Sequence, residues 1–376
     1  MINLRDLPGY RPDAPGARLD DQPWAKSWAT YLKAVFNPAG EARRVIRNTW
    51  SERVPSEGGF LVPETLRAQV MAYMTTAIVR PRATVVEMDS PRLGIPLLDN
   101  PSQASGKQAL GGLTFSIVEV GETIPATNPA LGRLVLEARK IAAYLQGVPN
   151  ELTDDAAGAM GDLLARVIAL GLAWFEDDLF IFNGTGAGEP QSLANGGAAL
   201  AVNRGTSDKV LVADIAAMLT GLHPAALQAG LTPGLTHVRW LISSAALPQL
   251  LELYLNTGGS TAGTDITPAT TSEWFQFGDG HDIGPSGLGL PASITDHQPA
   301  LGSTGDVMLA DLSQYVISDR LTMTVEQSKD GAGFIKDTSN FRIRSRVDGR
   351  YWIQSQSTTE AGAAVSPVVV LAPPAG

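Results

Sequence analysis

The sequence predicts an α+β fold, and three observations predict it. Helical spacing is sustained from Thr153 to Phe182, with apolar residues at Met160, Leu163, Leu164, Val167, Ile168, Gly171, Trp174, Phe175, Leu179 and Phe182. Upstream of it, strand-like runs flank a polar Gly/Ser/Gln/Asn-rich stretch, 100–112, which describes a long hairpin. Downstream, Thr338–Val347 alternates cleanly, with Phe341, Ile343, Ser345 and Val347 on one face and Arg342, Arg344 and Arg346 on the other.

Taken in order, residues 1–56 differ from the rest. Pro8, Pro12, Pro15 and Pro23 keep the first part extended, and a short amphipathic helix follows over Trp24–Phe36. Trp24, Trp28, Leu32 and Phe36 share one of its faces, a stripe that an arm without its own core must bury elsewhere. Pro63 suits the first turn of a helix whose apolar face is Leu66, Val70, Met71 and Met74. Strands are expected at Ala83–Met88, Leu93–Leu98, Leu113–Val120 and Leu131–Leu145. A hairpin that long is marginal alone and wants a partner surface.

The long helix opens on Thr153, a fitting N-cap, with Asp154 and Asp155 at the positive end of its dipole. Asn183-Gly184 is expected to end it through a left-handed residue. At 1.5 Å per residue the rod is about 45 Å long, a spine rather than a packing element of ordinary size. Helices are then expected at Val212–Leu222, Pro224–Leu231 and Leu247–Leu255, around a buried strand at Val238–Ser243. Gly258–Gly280 reads as an exposed loop. Strands follow at Val307–Ala310, Tyr315–Ser318, Leu321–Gln327 and Val365–Leu371.

Composition narrows the function. The chain has 376 residues, room for two or three cores. Only 18% are charged, while 39 Gly and 25 Pro give an ordered chain rich in turns, much of whose surface meets protein. A formal charge of −10 argues against wholesale nucleic-acid binding. The absence of Cys removes disulfides and thiolate metal sites. No apolar run reaches the ~18 residues of a membrane span, and the first residues lack a signal-peptide core, so a soluble intracellular chain is expected.

No catalytic constellation emerges. The four histidines, His223, His237, His281 and His297, show no i, i+4 pairing and no HExxH. His281, Asp282 and Ser286 imitate a hydrolase site, yet no GxSxG elbow accompanies them. Gly184-x-Gly186-x-Gly188 follows a helix, so it is a turn and not a dinucleotide fingerprint. Glu176-Asp177-Asp178 splay around their helix and share no cation site. The Arg342, Arg344 and Arg346 row invites carboxylates, with Glu119, Glu122 and Glu137 on or beside the hairpin as candidates. No cofactor and no metal are expected.

The order of these parts resembles the major capsid proteins of tailed bacteriophages, the Hong Kong 97-type family. Val148-Pro149-Asn150-Glu151-Leu152-Thr153-Asp154-Asp155 resembles the lead into the family's spine helix. Residues 183–193, from Asn183-Gly184-Thr185-Gly186 to Leu193, resemble its NGTGxGxPxGL segment, with Ser192 in place of the usual Gly. Gly287-Leu288-Gly289-Leu290-Pro291 and the stretch from Gly305-Asp306 to Leu312 resemble two further family segments. The resemblance covers 56 to about 372. It implies an N-terminal arm (1–56), an E-loop (93–137), a P-domain (57–92, 138–209 and 319–352) and an A-domain (210–318 and 353–376). It also implies a homo-oligomeric shell of pentamers and hexamers around double-stranded DNA, with a portal, a separate scaffolding protein and a decoration protein as partners, and no membrane. Such a shell is assembled in the bacterial cytoplasm and forms the virion capsid. Trp24, Trp28, Glu119, Glu122, Glu137, Arg342, Arg344 and Arg346 are then inter-subunit contacts. The Lys and Asn of the family's isopeptide cross-link fall near Ile124 and Asp337, which lack that chemistry, so no cross-link is expected. About 56 residues before the core are too few for a helical scaffolding prodomain. An encapsulin-type compartment is the alternative within the fold, and a hydrolase using His281, Asp282 and Ser286 the alternative outside it.

Overall fold

Two β-sheets meet at the C-terminal end of one long helix. In this computed structural model the described residues are 20, 21, 26, 60–61, 77–98, 117–119, 123, 126, 131–149, 157–231, 237–250, 275–276, 282–283, 290–320, 324–328 and 338–375. Trp24, Trp28, Glu122, Ile124, Thr153, His281, Ser286 and Asp337 therefore lie outside them, as does the polar stretch 100–112. Lys26 forms a bend, so the helix expected from Trp24 does not include that residue.

In chain order the strands are β1 (Phe60–Leu61), β2 (Thr84–Glu87), β3 (Arg92–Leu98), β4 (Leu131–Glu137) and β5 (Arg139–Pro149). Helix α1 (Ala157–Asp178) runs into a π-helical turn, Leu179–Asn183, and β6 (Leu200–Asn203) follows. Next come α2 (Val212–Gly221), α3 (Pro224–Gly230), β7 (Val238–Ser243), β8 (Phe275–Gln276), β9 (Asp282–Ile283), β10 (Leu290–Thr295) and β11 (Val307–Asp311). The chain closes with β12 (Tyr315–Asp319), β13 (Thr324–Ser328), β14 (Thr338–Tyr351), β15 (Ser357–Thr358), β16 (Ala364–Val365) and β17 (Val368–Ala372).

The first sheet is organised around β14. Val347 pairs with Asp319 on one edge and with Arg139 on the other, so β12 and β13 lie end to end along one edge while β5 takes the opposite one. β2 adds to β12 in parallel, and β1 to β13 antiparallel. The alternation read from the sequence is observed in part: Phe341, Ile343 and Val347 are buried and Arg342 is exposed, while Arg344, Ser345 and Arg346 are all half-buried.

The second sheet runs β6-β17-β11-β7-β10-β9-β8. Its central strands are apolar on both faces. Val238, Trp240, Ile242, Val307, Leu309, Val369 and Leu371 pack against α2 and α3. The alternate residues Leu241, Met308, Ala310, Val368 and Val370 pack against the helix end and the first sheet. Period-2 alternation thus feeds two cores from the same strands.

Four expectations are corrected. The run Leu131–Leu145 is two strands, because β4 pairs with β3 whereas β5 turns to pair with β14. The division expected between 318 and 319 falls inside one strand, Tyr315–Asp319, which pairs with β14 in the first sheet, and Leu200–Asn203 pairs with β17 in the second. Ile117–Glu119 form no strand, and Ile117 is fully exposed. Gly184 is not left-handed: its φ is −68°, and its N–H donates to Leu179 O at 3.0 Å, closing a π turn. Glycine is required there for space, because a Cβ would stand closer than 3.0 Å to the carbonyl oxygens of both Leu179 and Pro190. The left-handed residues come just after, Gly186 and Gly188 at φ 77° and 89°.

Candidate functional site

The end of α1 carries three consecutive carboxylates, each with a different partner. Glu176 receives two hydrogen bonds from Arg80, Nε to Oε2 at 2.6 Å and Nη2 to Oε1 at 2.9 Å. The other side of the same guanidinium donates to Asp319 at 2.9 and 3.1 Å. Burial works against the charge on Arg80, but Asp319 and Glu176 outweigh it and hold the guanidinium protonated. Asp177 accepts the backbone N–H groups of Ile78 and Val79 at 2.7 and 3.2 Å, and burial still raises its pKa. Asp178 accepts from Asn183 Nδ2 and lies 3.3 Å from His297 Nδ1, whose ring stands 5.0 Å from that of Trp174. Among the described residues no His, Asp and Glu cluster could hold a metal. These carboxylates fix the helix to segment 77–83, to β12 and to the loop after β10. Nearby, Arg239 on β7 donates to Ser293 at 2.6 Å, and burial first, then Arg82, lowers its pKa to about 10.

The loop after α1 is held just as tightly. Thr185 N and Oγ1 donate to Glu189, Gly186 N to Pro190 O at 3.2 Å, and Ser192 N to Gly184 O at 2.9 Å. Ser192 is fully buried, and its Oγ accepts from Asn195 N at 3.2 Å. Tyr315 Oη donates to Gln191 O at 2.6 Å from a ring that packs on Phe180 and Tyr351, both at 5.5 Å. This loop is a rigid joint between helix and sheets.

From 166 onward the other face of the helix is largely exposed. Its core face is Ala169, Ala173, Glu176, Asp177 and Phe180, all buried. Part of the apolar stripe that announced the helix points the other way: Val167, Trp174 and Phe175, with Leu170 beside them, are 40–55% exposed, whereas Leu179 of the same stripe is buried. Leaving such side chains half in water forgoes on the order of 1 kcal/mol each. A contiguous apolar patch of this kind marks an interaction surface.

The hairpin β3–β4 is rooted by charge and by packing. Glu137 pairs with Arg92 and, at 2.6 Å, with Arg139, while its N–H donates to Asp348 at 2.7 Å. Leu97, Leu134 and Leu136 form a small core with Met88 and Val316. Glu137 is therefore occupied inside its own chain; Glu119 is exposed.

The arginine row is also partly satisfied from within. Arg342 and Arg344 both donate to Glu326, which stands directly opposite Arg342 on β13. Two of these arginines thus already share a carboxylate of their own chain, one strand away. The register of β13 against β14 carries Glu326 to Arg342, and alternation alone does not give that register. Arg346 lies across from Lys140 on β5, a like-charge pair on the same face. Of the hydrolase candidates, Asp282 lies on β9, paired with Pro291 and Gln276.

A rooted hairpin, a spine helix with a bare apolar face and an NGTG joint are now in place. A model described as the phage capsid family matches residues 58–354. The chain belongs to the phage capsid family. No curated protein matches it. Among solved structures it is similar to the capsid of an empty GTA particle, at 15% identity and TM-score 0.55, over 80% of this chain and 91% of that one. It is also similar to the chain from Mycobacterium phage Bobi, at 14% identity and TM-score 0.50, over 87% and 95% respectively. The fold is the Hong Kong 97-type capsid fold, and the protein is a structural shell protein.

Proposed function

We propose that copies of this chain close into pentamers and hexamers of an icosahedral head that encloses double-stranded DNA, in a tailed phage or a gene-transfer particle. The family match over residues 58–354 carries this reading. The bare helix face supports it, since heterologous contacts that close into rings need apolar surface that one copy leaves unsatisfied. A chain of charge −10 also suits a container that must not stick to a polyanion. In this reading 93–137 is the E-loop laid on a neighbour, the sheet around β14 and helix α1 form the P-domain, and the second sheet with α2 and α3 forms the A-domain. Arg346 and the exposed Glu119 belong to inter-subunit contacts. A portal and a scaffolding protein are the further partners, and assembly takes place in the bacterial cytoplasm.

Electron microscopy and sedimentation of the purified protein test the reading. Closed particles are expected, and a monodisperse small oligomer at high concentration would overturn it. Deleting residues 100–112 is expected to leave a folded monomer that fails to assemble.

A further inference from the structure

The bare face of α1 has a hole at its centre. Gly171 faces open space: beyond its chain neighbours and the backbone of its own helix, nothing lies within 4 Å of where a Cβ would stand. Around it on the helix surface stand Val167, Leu170, Trp174 and Phe175, exposed by 54, 43, 55 and 40%. At 100° per residue these five positions span about 140°, on the side opposite the buried Ala169, Ala173 and Phe180. A glycine inside a helix costs about 1 kcal/mol relative to alanine, and here no internal contact requires it. What the missing side chain provides is a socket, floored by backbone and walled by two aromatic and two aliphatic groups.

The chain itself carries a matching projection. Trp28, Leu32 and Phe36 recur at four-residue spacing in the arm, and the row Val167–Gly171–Phe175 has the same spacing. Two i±4 rows interdigitate as ridge into groove. Lys33 falls away from the arm's stripe and stays in water when the stripe docks. The sheet is first entered at Phe60, and the 23 residues between Phe36 and Phe60 can extend about 80 Å, more than twice the ~33 Å of α1. The arm can therefore cross to another subunit.

We propose that the Gly171 socket receives Trp28 from the arm of a second copy, so that each arm straps down its neighbour's spine helix. The inference rests on the assembly reading and adds the contact residues. Its test is Gly171→Leu, which fills the socket while improving helix propensity. The monomer's Tm should hold or rise, and the yield of closed particles should fall about tenfold or more, as when a central anchor fails in many repeated contacts. Trp28→Ala should give the same defect, and the double variant should be no worse than either single one, because both remove one interaction. Wild-type yield from Gly171→Leu, or fully additive defects, overturns the socket. Since the chain has no Cys, Ala29→Cys on tagged copies and Leu170→Cys on untagged copies can be joined by a short bis-maleimide. A tagged–untagged dimer is expected. Its absence from well-formed particles overturns the contact between copies, whereas wild-type protein that never forms particles overturns the assembly reading itself.

Discussion

Arg80 and Glu176 are joined by two parallel hydrogen bonds in a site where Glu176 is almost wholly buried, and Asp319 takes the other edge of the same guanidinium. One arginine thereby ties the spine helix to β12. Such a network adds little net stability over an apolar cluster, but breaking it is costly, because the remaining charges stay buried. Arg80→Ala should lower stability by roughly 3–5 kcal/mol. The measurement is denaturant unfolding of the monomer. A change below 1 kcal/mol would mean that water or another cation replaces the guanidinium.

Gly184→Ala tests the π turn. In most helical positions this exchange stabilises, but here the new methyl meets two backbone oxygens that cannot swing aside. A loss of about 2 kcal/mol or more is expected, with the Leu193 N–H to Phe180 O bond, 2.7 Å in the native loop, among those disturbed. Hydrogen exchange at Leu193 reads that bond directly.

Much of this fold was legible in the sequence, and the misreadings share one cause. β7 was placed at its full length because Val238, Trp240, Leu241 and Ile242 make a short apolar run that is buried on both faces. The helix, too, was found by its apolar spacing, but Val167, Trp174 and Phe175 of that stripe face outward. The inward face is marked by Ala169 and Ala173, which any helix tolerates, and by Glu176 and Asp177, which read as solvated. Glu176 is buried against Arg80, 96 residues away, and Asp177 against the backbone N–H groups of Ile78 and Val79, and no local pattern carries those pairings. The Glu326 partner of the arginine row was missed for the same reason: alternation fixes which face a side chain takes, and only strand register fixes what it meets.

His223 gives the fold a pH dependence of known sign. Its Nδ1 accepts the Ala225 N–H at 3.3 Å as the N-cap of α3, and burial lowers its pKa from 6.5, with Asp311 opposing. The unfolded chain therefore takes up the proton first as pH falls. Stability contributed by this group is complete above 6.5 and is lost as pH drops through the lower, folded value. His223→Asn keeps a capping acceptor that does not titrate. Its unfolding free energy should depend less steeply on pH below 6.5 than that of the wild type, and identical slopes would remove His223 from the account.

Glu326→Gln separates the intrachain role of the arginine row from its role between copies. Glu326 is buried, and Arg344, with which it pairs, is 13% exposed, whereas Arg342 is 45% exposed and its pair is weakened by solvent. The bond to Arg344 dominates, so about 1.5–3 kcal/mol of monomer stability should be lost. Gln can still accept from one arginine but leaves the face with one more unbalanced positive charge, beside Arg346 and Lys140. If that face meets carboxylates of a neighbour, as the sequence suggested, particles from Glu326→Gln should form at wild-type salt and resist dissociation at higher salt better than wild type does. Particles that fall apart earlier would show the row to be a purely internal brace.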